Sequence, residues 1–243
     1  MKMDNAPSPA EFFGWRHHPF ADARPPRTPF PGARDQAILR AATALLSQGK
    51  SLALTGPSGS GKSTLVRHLL AQLDSRFFRT ILIPYGGLKR APLLRALADA
   101  AGLDAASRSI PLLVKLHKHF QSLASAQNPV HTVIAADDAH MLERDSLADL
   151  CSLLIDPRHQ TATASLFLTG DQSFGKTLRL HILEAVRSRL ACIFSLDPLS
   201  HQESLEFIRF RLAAAHAPAS LFDPDALELI AAHCRGNRRD LMN

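Results

Sequence analysis

Gly56-Pro57-Ser58-Gly59-Ser60-Gly61-Lys62-Ser63 is the stretch that decides how the rest of the chain is read. It satisfies G-x-x-x-x-G-K-[ST], a loop whose backbone N–H groups cradle phosphates. Its flanks are those the motif requires. Ser51-Leu52-Ala53-Leu54-Thr55 is a short apolar run suited to a buried strand, and Thr64-Leu65-Val66-Arg67-His68-Leu69-Leu70 carries apolar residues at helical spacing. A glycine-rich turn without a ligand is the competing reading, and the strand–loop–helix setting argues against it. Glycines at 56, 59 and 61 let the backbone adopt conformations that a side chain would block. Successive N–H groups then converge on a phosphate at a helix N-terminus, where the dipole favours negative charge. The expected phosphate-binding set is therefore Gly56, Pro57, Ser58, Gly59, Ser60, Gly61, Lys62, Ser63 and Thr64. Lys62 is expected to reach the β- and γ-phosphates of a bound nucleotide, and the Ser63 hydroxyl to ligate Mg²⁺.

A second landmark lies downstream. His131-Thr132-Val133-Ile134-Ala135-Ala136 reads as a buried strand, and it ends in Asp137-Asp138. With a phosphate loop upstream, a carboxylate at the end of a neighbouring strand suits Mg²⁺, which makes Asp137 the second metal-site candidate. Asp138 is then placed to polarise an attacking water. Charge at the N-terminus of a following helix is the competing explanation for the pair.

Working outward, Arg34 to Gln48 has one apolar face (Ile38, Ala42, Leu45, Leu46) and a terminating Gly49, and is expected to be a helix. Strands are expected at Thr80–Ile83, Ala164–Thr169 and Ala191–Leu196, and helices at 92–101, 110–126, 144–155 and 178–189. Strands and helices alternate, which predicts an α/β fold: a mostly parallel five-stranded sheet covered on both faces, residues 32–197. Asp197-Pro198-Leu199 marks a boundary. Ser200-His201-Gln202-Glu203 is a capping box opening a helix, Asp223-Pro224 opens another, and a third is expected from Arg238. Residues 198–243 thus form a small helical lid. Residues 1–31, with Pro25-Pro26, Pro29 and Pro31, read as an extended arm. Its Phe12, Phe13, Trp15 and Phe20 either pack on the following domain or line an adenine pocket.

The 243 residues are 46% hydrophobic and carry a net charge of +6, enough for a sizeable core and permissive of anionic partners. Cys151, Cys192 and Cys234 are odd in number and far apart, with neither metal spacing nor a disulfide framework. His17-His18 and the His117/His119 pair do not present two ligands on one helix face, so surface or loop roles are expected. No apolar run approaches about 18 residues, and Met1–Asn5 lacks the apolar core of a signal peptide. A cytoplasmic location is the expectation.

The order of these features resembles the AAA+ ATPases, and within them the ExeA-type ATPases of bacterial secretion pathways and the related TniB, TnsC and MuB transposition ATPases. The likeness runs from about Phe13 to Asn243. Phe13-Gly14-Trp15-Arg16-His17-His18-Pro19-Phe20 looks like their "FGL-x-x-x-PF" opening, Asp137-Asp138-Ala139-His140 like "DEAQ", Phe207 to Leu212 like "YIxxRL", and Gly236 to Asn243 like "GxPRxxN". The resemblance implies a P-loop ATPase domain of three layers, α/β/α, with a C-terminal helical lid. It implies that Thr169 or Asp171 acts as sensor 1, that Arg189 (or Arg187) is an arginine finger entering the next subunit's site, and that Arg239 is sensor 2. A finger supplied in trans implies an ATP-dependent homo-oligomer, a ring or filament, acting on a macromolecular partner.

Three features depart from the pattern. Asp138 stands where Glu is usual, one methylene shorter, which implies slower hydrolysis. Arg238 replaces the usual proline beside Arg239. Asn243 falls just inside the third lid helix, so the membrane segment and peptidoglycan-binding part of full-length ExeA-type chains lie outside this sequence. The loop spelling is shared with ABC transporter ATPases, but no "LSGGQ"-like signature precedes Asp137, and the terminal lid argues against a small-molecule kinase. Two other functions remain open. One is an ATP-gated, DNA-binding regulator of the transposition type, contacting duplex DNA through Lys89, Arg90 and Arg95. The other is a nucleotide-binding module with weak hydrolysis and an unknown protein partner.

Overall fold

A computed structural model describes residues 9–21, 29–84, 86–106, 110–156 and 160–243. Met1–Asn5, Pro25 and Pro26, which figure in the sequence reading, fall outside these residues. In chain order the elements are α1 (Pro9–Phe12), α2 (Ala33–Ser47), β1 (Ser51–Thr55), α3 (Lys62–Gln72), β2 (Phe78–Ile83), α4 (Arg90–Ala100), α5 (Leu112–Ala124), β3 (His131–Ala136), α6 (Arg144–Ser152), β4 (Ala164–Gly170), α7 (Phe174–Thr177), α8 (Glu184–Arg187), β5 (Leu190–Ser195), α9 (His201–Ala214) and α10 (Pro224–Cys234). They divide into two compact units. One comprises Gln36–Pro57 and Lys62–Leu196; the other comprises the described residues up to Asp35 with Ser58–Gly61 and Asp197–Asn243.

The larger unit is built on a five-stranded sheet in the order β2-β3-β4-β1-β5, with every pairing parallel. The three inner strands are almost wholly buried, while β2 and β5 at the edges are only partly so. Alternate strand residues feed two separate cores, because side chains along a strand point to opposite faces. Ala53, Ile134, Ala136, Leu166 and Leu168 pack with Leu93 and Leu97 of α4, Leu116 and Phe120 of α5 and Leu150 of α6. Leu52, Leu54, Val133, Ala135 and Phe167 pack with Ala42 and Leu46 of α2 and Leu65 and Leu69 of α3. This is the expected three-layer α/β/α arrangement. Truncating a fully buried ring such as Phe167 to alanine costs about 3–5 kcal/mol in sites of this kind.

Two elements of the larger unit differ from the sequence expectation. The helix expected over 178–189 is broken into α7, a 3-10 turn at His181–Leu183 and α8. Leu180 takes an extended backbone, and the buried positions Leu178, Leu183 and Val186 are not at a continuous helical spacing. The helix expected to reach 155 stops at Ser152, and Ile155 instead forms an antiparallel bridge with Ala162. His117 and His119 lie half-buried on α5 and not in a loop.

In the smaller unit, α9 opens with the predicted capping box. The Ser200 hydroxyl accepts the Glu203 N–H, and the Glu203 carboxylate accepts the Ser200 N–H at 2.8 Å. The backbone bond to Ser200 also holds the Glu203 carboxyl below its ordinary range. Phe30, Leu205, Phe207, Ile208, Leu212, Leu227, Ala231 and Leu241 form the core. The arm aromatics Trp15 and Phe20 pack against that core, Phe20 facing Phe222 at 6.2 Å. Buried Arg211 of α9 holds the arm by donating to the carbonyls of Pro19 and Ala21. The third lid helix is a single 3-10 turn, Asp240–Met242.

Candidate functional site

The chemical residues of the larger unit gather where three neighbouring strands end. β1 runs into Gly56, β3 into Asp137, and β4, lying between them, ends in Thr169 and Gly170. Carboxyl ends of parallel strands are where open α/β sheets bind ligands, because the loops there are free of the ladder. Asp137 is 7% exposed, and its N–H continues the ladder by donating to the Ile83 carbonyl at 2.9 Å. Thr169, fully buried, donates its hydroxyl proton to Asp137 Oδ1 at 2.5 Å and accepts the Asp138 N–H at 3.0 Å. One threonine thus orients both acidic residues.

Asp138 takes a left-handed backbone conformation, φ 51° and ψ 39°, and its carboxylate side chain is half-exposed. Gly86, just after β2, makes room for that turn: a Cβ there would stand 2.5 Å from the Asp138 carbonyl oxygen and 2.7 Å from its Cβ. His140 Nδ1 lies 4.0 Å from Asp138 Oδ1. Asp171, the other sensor candidate, is engaged in its own loop. It accepts from the Ser173 hydroxyl at 2.7 Å and the Phe174 N–H at 2.9 Å, and the Ser173 bond holds its carboxyl below the usual range.

Lys62 opens α3 and is buried, its ammonium donating to the carbonyls of Gly56 and Pro57 at 2.9 Å each. Ser63 beside it is half-buried, and Thr64 is exposed. A hydroxyl and a carboxylate are hard oxygen donors of the kind Mg²⁺ takes, so Ser63 and Asp137 fit that ion by chemistry. Among the described residues, no group of three or more His, Cys, Asp or Glu could hold a metal by itself. The cysteines are unpaired thiols, and burial pushes Cys151 up to about 11, keeping it protonated at neutral pH.

Arg187 and Arg189 are exposed. Arg189 immediately precedes β5, whose first residue pairs with Ser51 at the start of β1. It therefore stands at the end of the sheet opposite Gly56. Five strand residues at about 3.3 Å each place it roughly 16 Å down the sheet from that end.

In the smaller unit, the tip of the phosphate loop is clasped by the turn after α10. Asn237 Nδ2 donates to the Ser58 carbonyl at 3.1 Å, the Arg239 N–H to the Gly59 carbonyl at 3.2 Å, and Arg238 Nη1 to the Ser60 carbonyl at 2.5 Å. Arg239 also reaches the Ser58 hydroxyl at 2.9 Å. Gly59 and Gly61, at φ 81° and 95°, leave space for this turn: a Cβ at 59 would collide with Asn237, and one at 61 would stand 2.6 Å from Arg238 Nη1. Arg238 Nη2 is forked onto both oxygens of Asp35 at 2.8 Å. The sequence assigned no site role to Asp35, Gly86, His140 or Asn237, although His140 and Asn237 fall within the motifs quoted above; only the acidic first turn of α2 hints at Asp35.

Of the basic candidates for DNA, Lys89 and Arg95 are exposed. Arg90 is committed to Asp149 by two bonds, 2.6 and 3.0 Å. Among the described residues, no helix is long and apolar enough to cross a membrane.

Residues 45–178 match the family described as an AAA domain. The chain is 29% identical to general secretion pathway protein A of Aeromonas hydrophila over 226 residues, 90% of this chain and 40% of that protein. Its fold is similar to the ORC2 protein of Aeropyrum pernix, solved as ADPNP–ADP complexes, with a TM-score of 0.70 at 15% identity, covering 92% of this chain and 62% of that one. It is also similar to Cdc6p from Pyrobaculum aerophilum, with a TM-score of 0.68 at 18% identity and the same two coverages. The chain thus spans two fifths of the length of the secretion-pathway relative and about three fifths of the two solved chains.

Proposed function

The chain belongs to the AAA domain family, and from that premise we propose that it binds and hydrolyses ATP, assembles with ATP into a homo-oligomer, and acts on a macromolecular partner. The observation that carries this reading is the Asp137–Thr169–Asp138 arrangement at the ends of β3 and β4, beside the strand that runs into the phosphate loop. Lys62 leaves the Gly56 and Pro57 carbonyls for the β- and γ-phosphates. Ser63 and Asp137 would hold Mg²⁺, which would supply charge neutralisation to the phosphates. Asp138 accepts a hydrogen bond from the attacking water, and Thr169, the stronger sensor candidate given the local role of Asp171, keeps Asp138 in place. The water oxygen bonds to the γ-phosphorus as the bond to the β-phosphate oxygen breaks, releasing ADP and phosphate. Arg189 serves the neighbouring subunit, because its place at the far end of β5 keeps it from its own loop; Arg187 is the second candidate for that role. Arg239 carries lid movement to the nucleotide.

Steady-state ATP hydrolysis, measured with oligomer size in the same samples, tests this. Wild-type turnover that is lost in Lys62→Ala and Asp137→Asn supports the reading; turnover unchanged in Lys62→Ala sinks it. The short Asp138 makes a slow basal rate part of the expectation. The DNA-binding alternative is less favoured, since Arg90 is already paired with Asp149. Turnover and assembly that rise with duplex DNA at low salt would restore it.

A further inference from the structure

We propose that Arg238, anchored by Asp35, is a positioning residue that presets the phosphate loop for nucleotide from its outer side. The inference rests on the ATP-binding reading above. Across a trans peptide the C=O of one residue and the N–H of the next point in opposite directions. The three carbonyls taken by the clasp are consecutive: Ser58 by Asn237, Gly59 by the Arg239 N–H, and Ser60 by Arg238. Holding them outward turns the N–H groups of Gly59, Ser60 and Gly61 the other way, as an anion-binding concavity needs. The Arg238 contact is the charged one. A guanidinium on the Ser60 carbonyl polarises that peptide and makes the Gly61 N–H a stronger donor.

Arg238 can act this way only if its own position is fixed, and Asp35 fixes it. The pair is buried, with side chains 11% and 5% exposed. Asp35 lies in the first turn of α2, where the helix dipole also favours its charge. Arginine suits the task and lysine does not, because only the planar fork bonds the carboxylate and the carbonyl at once. At this position the resemblance leads one to expect proline, which has no side-chain donor.

The test is nucleotide affinity, measured by titrating a fluorescent ATP or ADP analogue into the purified full chain. Removing one partner alone strands a buried charge and risks misfolding, so the variants are Arg238→Lys and the charge-free pair Asp35→Asn with Arg238→Gln. Each is expected to raise Kd for both nucleotides by about 10-fold or more, the effect of a lost charged hydrogen bond. Turnover at saturating ATP should change less than KM does. Affinities unchanged in both variants, while Lys62→Ala loses binding, overturn the proposal and leave the ATP reading intact. If Lys62→Ala binds as the wild type does, it is the ATP reading that fails.

Discussion

Thr169 donates its hydroxyl proton to Asp137 at 2.5 Å from within a fully buried strand, so a neutral side chain on β4, the strand between β3 and the one that runs into the phosphate loop, orients the candidate metal-site carboxylate. Thr169→Val keeps the volume and removes the donor. A buried carboxylate that loses a partner costs about 1–3 kcal/mol, and the Asp138 backbone N–H loses the hydroxyl oxygen that accepts it as well. Misplacement on the order of 1 Å lowers turnover by about a hundredfold. ATP affinity should hold, and Thr169→Ser should restore most of the rate. Equal rates in the valine and serine variants would falsify this role.

Gly86 makes a separate prediction, because it lies outside both motifs. Any Cβ at 86 forces the Asp138 backbone to move. Gly86→Ala is expected to lower turnover by about tenfold or more, following the same sensitivity to misplacement, with nucleotide binding retained. Full turnover in this variant would show that Asp138 does not need its left-handed geometry.

Arg189 at the far end of the sheet predicts complementation. Arg189→Ala and Asp138→Asn should each be inactive, the first losing about 10³-fold or more as expected for an arginine finger. Mixed oligomers should recover part of the rate, since some interfaces pair an intact Asp138 with an intact Arg189. A mixture no more active than its components argues for action in cis or for no catalytic role.

Stability should depend on pH through His131. Burial holds its imidazole below the ordinary value of 6.5, with Nε2 2.8 Å from the Ser165 hydroxyl oxygen. The unfolded chain therefore binds more protons than the native one as pH falls below the unfolded value. The stability contributed by the neutral ring is complete above about 6.5 and is lost as pH drops through that value towards the folded one. His119, also lowered by burial, acts with the same sign. Urea unfolding at about pH 5.5 and about pH 7.5 should show a smaller difference in His131→Gln than in wild type. An undiminished difference assigns the effect elsewhere.

Much of the fold was legible locally. β1, β3 and β4 are short apolar runs because both of their faces are covered, and the capping box at Ser200 announced α9 through two side chains three residues apart. The apolar residues of 178–189 are dense enough to suggest the stripe of one helix. Only packing revealed that Leu180 and Ile182 face solvent while Leu178, Leu183 and Val186 do not.

For the site, the sequence by itself determined the phosphate loop with Lys62 and Ser63, and the acidic end of β3. These are chemical requirements written in adjacent residues. Tertiary structure alone decided that Thr169 and not Asp171 meets Asp137, that Gly86 admits the Asp138 turn, and that Arg238 joins Asp35 to Ser60 across 203 and 178 residues. Such partners share no period or spacing. They meet only because a parallel sheet in the order β2-β3-β4-β1-β5 brings distant strand ends to one edge, and because a turn after α10 closes on the loop tip.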